Sequence, residues 1–214
     1  MINIKRFVCN MLAENCYVVS DETSEAVIID CGAAYPEEGT AITTYISENK
    51  LKPKHLICTH GHFDHCIGNG LIYNTYGLKP EVHQEDEFLM VKIAGQIEEM
   101  LGVKIALEVP PVGRYLTDNE TITFGSHSLQ LLNTPGHTPG SSVFYCKAEG
   151  ILFSGDTLFR MSIGRTDFEG GSYQEMMASL HNVLANLPDK TKVYSGHGPV
   201  TTIGDEKMYS PYFR

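Results

Sequence analysis

The stretch THGHFDH, residues 59–65, decides the fold of this chain. It places three histidines and one aspartate within six residues, directly after the apolar run HLIC at 55–58. His60 and His62 are separated by one residue, so their side chains can point the same way, whereas Asp64 and His65 point elsewhere. Histidine-rich tracts can be incidental surface sequence, but this one is internal and follows a predicted strand. The layout predicts two metal ions side by side.

The bulk composition indicates a globular protein that does not bind nucleic acid. The chain has 214 residues, of which 42% are hydrophobic, and we expect a single domain over residues 1–214. The formal net charge is -10, from 26 acidic and 16 basic residues, and no cluster of lysine or arginine offsets it. An acidic surface of this kind repels phosphate backbones. The partner we expect is therefore a small molecule.

Cysteine usage and hydropathy predict a cytoplasmic location. The six cysteines form no Cys-x-x-Cys pair, and a chain of this length does not need disulfides. The N-terminus, MINIKR, lacks the apolar region of a signal peptide. No apolar run approaches the ~20 residues that a membrane helix needs. We expect a soluble, reduced protein without a membrane partner, and the oligomeric state is left open.

Periodicity predicts strands and helices in both halves of the chain, which favours the α/β class with helices outside two facing sheets. Three helices are expected in the first half and one in the second, at residues 36–49, 67–76, 85–101 and 173–185. The strands are expected at residues 15–20, 26–30, 54–58, 81–83, 121–124, 128–132, 142–146, 151–154 and 192–194.

Three further positions follow predicted strands in the same way as the 59–65 tract. His137 lies in TPGHTPGS, Asp156 in FSGDT and His197 in SGHG, and each has a glycine beside it. Glycine allows the backbone to approach an ion or a substrate closely. Taken singly, each of these residues could equally be structural, but together they complete the ligand set that two ions need.

The ligand count divides into two sites. Catalytic zinc takes three protein ligands and a water molecule, and Asp156 can bridge two ions because a carboxylate has two oxygens. Imidazole and carboxylate donors favour zinc, with iron and manganese also compatible. One site would comprise His60, His62 and His137, and the other Asp64, His65 and His197.

These residues resemble the metallo-β-lactamase superfamily, whose pattern is His-x-His-x-Asp-His followed by His, Asp and His. The order and spacing agree from about Asn15 to His197. The resemblance implies a four-layer αβ/βα sandwich, with two facing mixed sheets flanked by helices and a dinuclear site at one edge. Asp156 and the absence of a cysteine ligand argue against a true β-lactamase.

Three phrases further resemble the short bacterial type of glyoxalase II: GDTLF at 155–159, GRTDF at 164–168 and GHGP at 196–199. That family hydrolyses S-D-lactoylglutathione and similar hydroxyacylglutathione thioesters. The resemblance implies that Arg165 helps to bind the substrate, although a salt bridge to Asp167 is an equal alternative. Larger members carry a C-terminal helical domain that completes the glutathione pocket, and only residues 198–214 follow His197 here. Thioester hydrolysis is therefore better supported than glutathione specificity.

The implied mechanism is attack on the thioester carbonyl by a hydroxide bridging two divalent ions, with Asp64 and Asp156 orienting it. The first alternative is a persulfide dioxygenase, which has the same fold and uses one iron, here at His60, His137 and Asp156. A lactonase of this fold is a second alternative. A purely structural metal protein is a third, but structural zinc sites are closed and rich in thiolates.

Overall fold

The first sheet is formed by the first half of the chain. The computed structural model describes residues 1–214, and its first six strands lie side by side in chain order. The first three strands pair antiparallel and the remaining neighbours pair parallel, so the sheet is mixed. The strands are β1 (Asn3–Cys9), β2 (Glu14–Ser20), β3 (Glu25–Ile29), β4 (Lys52–Ile57), β5 (Pro80–His83) and β6 (Arg114–Leu116).

The second sheet is formed by the second half of the chain. Its six strands also lie in chain order, and all neighbours pair antiparallel except one parallel pair. The parallel pair joins the fourth strand of this sheet to the fifth. The strands are β7 (Thr121–Phe124), β8 (His127–Asn133), β9 (Ser142–Cys146), β10 (Ile151–Gly155), β11 (Lys192–Ser195) and β12 (Thr201–Thr202).

Helices cover the outer face of each sheet. Pro36 occupies the first turn of the longest helix, where its fixed φ and missing N–H cost nothing. No helix is both long and apolar enough to cross a bilayer. The helices are α1 (Pro36–Glu48), α2 (Phe63–Cys66), α3 (Asn69–Tyr76), α4 (Glu87–Met90), α5 (Ile93–Leu101), α6 (Tyr173–Asn182) and α7 (Ile203–Tyr209), with 3-10 turns at Gln84–Asp86, Leu184–Asn186 and Pro211–Phe213.

The hydrophobic core confirms the four layers expected of the sandwich. Between the sheets, Ile29 and Ile57 of the first sheet belong to one buried cluster with Phe144 and Phe153 of the second. A second cluster packs Ile42 of α1 against the first sheet, and others join α5 and α6 to the sheets beneath them. The strands at the centre are buried on both faces, as β2 is throughout. The order is therefore helices, sheet, sheet, helices.

The predicted elements are confirmed apart from one helix. The expected helix at 85–101 is wrong as a single element, because a 3-10 turn, α4 and α5 divide the segment. Apolar residues keep helical spacing through both helices, so periodicity alone did not reveal the break near Lys92. Strands β1, β6 and β12 and helix α7 were not predicted. In β1 most side chains are exposed, which removes the alternation on which strand prediction depends.

Candidate metal centre

The predicted metal residues meet at the edge where strands of both sheets end. The tract at 59–65 follows the carboxyl end of β4 and leads into α2. His137 follows β8, Asp156 follows β10 and His197 follows β11. Because the two sheets face each other, residues from both halves of the chain converge on one site.

The first triad joins His60, His62 and His137, which each offer a ligand atom within 4.8 Å of the others. His62 Nδ1 and His137 Nε2 lie only 2.8 Å apart. His60 Nε2 is buried and has no hydrogen-bond partner. These three nitrogens form the donor set expected from the sequence.

The second triad joins Asp64, His65 and His197, whose ligand atoms also lie within 4.8 Å of one another. His65 Nε2 and His197 Nε2 are 3.3 Å apart. Asp64 Oδ2 is 3.3 Å from His197 Nε2 and 3.7 Å from His65 Nε2. This is the second donor set expected from the sequence.

Asp156 lies between the two triads. One of its oxygens is 3.6 Å from His137 Nε2 and 3.6 Å from His197 Nε2, and the other is 3.3 Å from His65 Nε2. Asp156 Oδ1 is buried without a hydrogen-bond partner. A carboxylate in this position can reach an ion in either triad.

The tautomers of the histidines follow from bonds on the far side of each ring. Asp30, at the end of β3, accepts from His65 Nδ1 at 3.0 Å and from the Thr59 hydroxyl at 2.8 Å. With its proton given to Asp30, the Thr59 hydroxyl can accept from His60 Nδ1, 3.1 Å away. His197 Nδ1 lies 3.0 Å from the carbonyl oxygen of Leu12. Each of these rings therefore directs its Nε2 into the site.

The ligand atoms that point into the site indicate that these residues fit metal ions. His137 Nδ1 donates to the carbonyl of Arg165 at 2.6 Å, so its Nε2 also carries a lone pair. His65 Nε2 and His197 Nε2 face each other at 3.3 Å, so a proton or a metal ion must separate their lone pairs. Buried polar atoms without partners are costly unless something satisfies them. Cations between these nitrogens would satisfy them and the free oxygen of Asp156.

The pKa values of the histidines shift in opposite directions in the two triads. Burial, with the neighbouring imidazoles, lowers the pKa of His60 well below its usual value. Burial lowers the pKa of His62 to about 3. Burial also acts to lower the pKa of His65, but the carboxylates of Asp156 and Asp64 outweigh it and raise that pKa. The imidazoles of His60 and His62 in the first triad are therefore neutral and available as ligands. In the second triad, the carboxylates favour a positive charge beside His65.

Asp86 connects the two loops that carry the first triad. This buried carboxylate accepts from Gly61 N at 2.8 Å, from the Thr138 hydroxyl at 2.8 Å and from Gly140 N at 2.7 Å. Gly61 lies between two predicted ligands and Thr138 follows a third. No local pattern identifies Asp86, because its partners lie 25 to 54 residues away.

Asp30 and Glu14 are two further buried acids beside the second triad that sequence analysis missed. Asp30 adopts φ 51°, a left-handed conformation uncommon outside glycine that concentrates at functional sites. The sequence feature that could have identified Asp30 is the predicted strand that ends at Asp30-Cys31-Gly32. Glu14 is fully buried beside Asp30 and His65, and burial raises its pKa well above the usual value.

Residues 15–17 fasten the loop that bears His197. Asn15 Nδ2 donates to the carbonyls of Ser195 and Gly198, and the Tyr17 hydroxyl donates to that of Ser195 at 2.7 Å. Gly196 in this loop packs against Asp156, where a Cβ would collide with the carboxylate. β2 of the first sheet thus positions a residue that follows a strand of the second.

Cys66, which follows His65, and His55 in β4 have structural roles. The Cys66 thiol is buried against the carbonyl of His60 and the sulfur of Met90, 3.5 and 3.7 Å away. All six cysteines are free and buried. His55 pairs with Glu81 at 2.6 Å. Neither the thiol nor this histidine belongs to a triad.

A pocket of about 600 Å³ opens over both triads. Arg165 is among its lining residues, but its guanidinium makes two bonds to the Asp167 carboxylate, at 2.8 and 2.9 Å. It also lies 4.3 Å from the ring centroid of Phe168. The salt bridge considered from the sequence is therefore present. Substrate binding by Arg165 stays a prediction.

The chain is similar to a known protein family over most of its length. The family model for the metallo-beta-lactamase superfamily matches residues 10–197. The probable metallo-hydrolase YqgX of Bacillus subtilis is 32% identical over 92% of this chain and 90% of its own length. The hydroxyacylglutathione hydrolase GloC of Haemophilus influenzae is 30% identical over 99% of this chain and 98% of its own length.

Solved structures share the fold over nearly the whole chain. BLEG-1, described as a B3 metallo-beta-lactamase, is 34% identical with a TM-score of 0.89, covering 100% of this chain and 99% of its own. TTHA1623 in a di-iron-bound form is 32% identical with a TM-score of 0.85, covering 97% and 99%. ETHE1 from Myxococcus xanthus is 26% identical with a TM-score of 0.79, covering 98% and 83%.

Proposed function

Since the chain belongs to the metallo-beta-lactamase superfamily, whose match supports a metal-dependent hydrolase, we propose that it hydrolyses thioesters at a dinuclear metal centre. A hydroxyacylglutathione such as S-D-lactoylglutathione is the first substrate to test, because the relative GloC is a hydroxyacylglutathione hydrolase. His60, His62 and His137 would hold one ion and Asp64, His65 and His197 the other, with Asp156 shared.

The observation that carries the proposal is the lack of a proton donor in the pocket. No lysine, tyrosine or cysteine lines it, and the acids other than Asp64 and Asp156 are the exposed Glu99 and Glu169. A leaving alkoxide or amine needs a proton from a general acid. A thiolate does not, because a thiol has a pKa of about 8.5. Thioesters are therefore the acyl compounds that this pocket is best equipped to cleave.

The residues of the chain bind, orient and shield the reacting groups. Two divalent ions, zinc by donor type or else iron or manganese, would supply Lewis acidity and a water molecule of lowered pKa. Asp64 and Asp156 present carboxylate oxygens that can accept from that water and fix its orientation. Phe159 and Phe168 wall the pocket on either side and exclude bulk water from the acyl carbon.

The complete second triad favours hydrolysis over persulfide oxidation. A single iron at His60, His137 and Asp156 would leave Asp64, His65 and His197 without a role. Yet these three residues converge as closely as those of the first triad, and Asp30 orients His65 among them. The relatives include a di-iron structure and ETHE1, so iron content belongs in the test.

Metal analysis and a thioester assay test the proposal together. The protein is loaded separately with zinc, iron and manganese, bound metal is counted, and thiol release from S-D-lactoylglutathione is followed. Two ions per chain with turnover that a chelator abolishes is the expected result. One iron per chain, with oxygen consumption on glutathione persulfide and no thiol release, would refute it.

β-Lactam hydrolysis is the second candidate, because BLEG-1 is described as a metallo-beta-lactamase at 34% identity. With such a relative, the absence of a cysteine ligand does not by itself exclude this activity. The opened lactam must protonate its leaving nitrogen, for which the pocket offers no buried acid other than the predicted metal ligands Asp64 and Asp156. We expect cleavage of a chromogenic cephalosporin to be at least a hundredfold slower than thioester cleavage, on the scale that general-acid catalysis contributes.

A further inference from the structure

The pocket wall outside the triads is largely apolar. Leu12 and Phe159 lie on the side of His197, and Phe159 contacts that ring edge-on with centroids 5.8 Å apart. On the opposite side Phe168 packs against His62 with centroids 5.2 Å apart. Leu89 and Met100 also belong to the lining. A bound substrate would contact this wall mainly through its nonpolar parts.

The two basic side chains at the mouth are already paired with acids. The Arg165 guanidinium is held by both oxygens of Asp167. Lys92 Nζ lies 3.1 Å from each carboxylate oxygen of Glu169, which lines the pocket. Arg160 follows Phe159 but is not among the lining residues. Away from the predicted metal ligands, both cations at the mouth therefore already have an acidic partner.

Glu99 is the one charged lining residue, apart from the predicted metal ligands, that has no ion-pair partner. No cationic nitrogen lies within 4.0 Å of it, whereas its neighbour Glu98 pairs with Lys104 at 3.2 Å. Its position is fixed through Gln96, one turn earlier in α5. Gln96 accepts from Phe63 N at 3.0 Å and donates to the carbonyl of Gly61 at 3.0 Å, which ties the helix to the tract at 59–65.

Given the proposed thioesterase function, we propose that Glu99 selects the thiol carrier of the substrate by its charge. Thioesters of an uncharged or cationic thiol are preferred over those of a carrier with carboxylates, of which glutathione is one. The reason is an unpaired carboxylate that α5 carries at the rim of an apolar wall, while both neighbouring cations are paired with acids. Repulsion at a partly exposed rim is screened but remains measurable at low salt.

Three thioesters with the same acyl group and different carrier charge test this selection. The acetyl thioesters of thiocholine, N-acetylcysteamine and glutathione carry a cationic, a neutral and a dicarboxylate thiol. Their kcat/KM values are measured on the metal-loaded protein at low and high salt. At low salt we expect the thiocholine ester to exceed the glutathione ester on the order of tenfold, and 0.5 M salt to reduce this ratio.

Matched variants distinguish the effect of Glu99 on this ratio from the effect of the protein's overall negative charge. Glu99→Gln should lower the thiocholine-to-glutathione ratio by about threefold or more. Glu98→Gln removes the same charge from the adjacent residue, which does not line the pocket, and should leave the ratio unchanged. If all three esters are cleaved but the glutathione ester is preferred, or if both variants change the ratio equally, the selection by Glu99 is refuted while thioester hydrolysis stands. If no ester is cleaved, both proposals fail.

Discussion

Replacing Asp86 with asparagine should disconnect the two loops that carry the first triad. Asp86 uses one oxygen for Gly61 N and the Thr138 hydroxyl, and the other for Gly140 N. An amide nitrogen in place of either oxygen cannot accept from a backbone N–H. At least one buried N–H then faces another donor, although the side chain keeps its size.

The magnitude follows from these bonds. A hydrogen bond to a charged group contributes about 1.5–3 kcal/mol, and a buried donor left unpaired costs a similar amount. We therefore expect Asp86→Asn to lower the free energy of unfolding by roughly 2–3 kcal/mol. In a chain of this size that corresponds to a fall in Tm of about 4–12 °C. Loss of a residue that orients metal ligands typically weakens metal binding about 10–100-fold.

Thermal unfolding and zinc titration measure the two effects. One of the two ions should bind Asp86→Asn at least about tenfold more weakly, and the other should bind almost as in the parent protein, because Asp30 orients the second triad. Glu85→Gln is the matched control, since Glu85 is exposed and adjacent and its carboxylate makes no hydrogen bond. Equal zinc affinities at both sites in Asp86→Asn, even with lower Tm, would refute the reasoning.

Three further predictions concern other parts of the molecule. Asp156→Ala should lose both ions and reduce thioester turnover about 100-fold or more; two ions retained by metal analysis would contradict the shared role. Gly196→Ala should lower metal content because its Cβ would collide with the Asp156 carboxylate, which the same analysis checks. At Asp21 burial raises the pKa, but hydrogen bonds from Thr23, Ser126 and other donors outweigh it and lower the pKa. The ionised carboxylate therefore stabilises the fold above its unfolded pKa of about 3.9. Asp21→Asn should destabilise the protein by about 1–3 kcal/mol at pH 7, and the difference should narrow as the pH falls below about 4. Urea unfolding at both pH values measures this difference.

The donors of the candidate site could be predicted because each follows a recognisable strand. The tract at 59–65 and the glycine-flanked His137, Asp156 and His197 carry their signal within a few residues of sequence. Strands of a sandwich end at common edges, so a set of such positions predicts convergence. The four-layer fold was implied by the resemblance of the same residues to the metallo-β-lactamase superfamily.

The residues that orient the donors could not be predicted, because their partners are distant in the chain. Asp30 reaches Thr59 only through the parallel pairing of β3 with β4. Asp86 reaches Gly140 across the boundary between the two halves. The strand end that marks Asp30 does not show which groups Asp30 orients, and no local pattern distinguishes Asp86 from a solvated acid. The engagement of Arg165 by Asp167, only two residues away, was by contrast considered from the sequence and is present.

The division of the two sheets between the two halves of the chain suggests a protein that can be split and reassembled. Strands β1 to β6 and β7 to β12 each form a complete sheet, and the turn at 117–120 connects them. The first half carries two donors of each triad, and the second half contributes His137 and His197. Neither fragment alone would possess a complete triad. Recovery of activity on mixing two separately produced fragments would therefore report the docking of one sheet on the other. Metal ions bound by donors from both fragments would stabilise that complex.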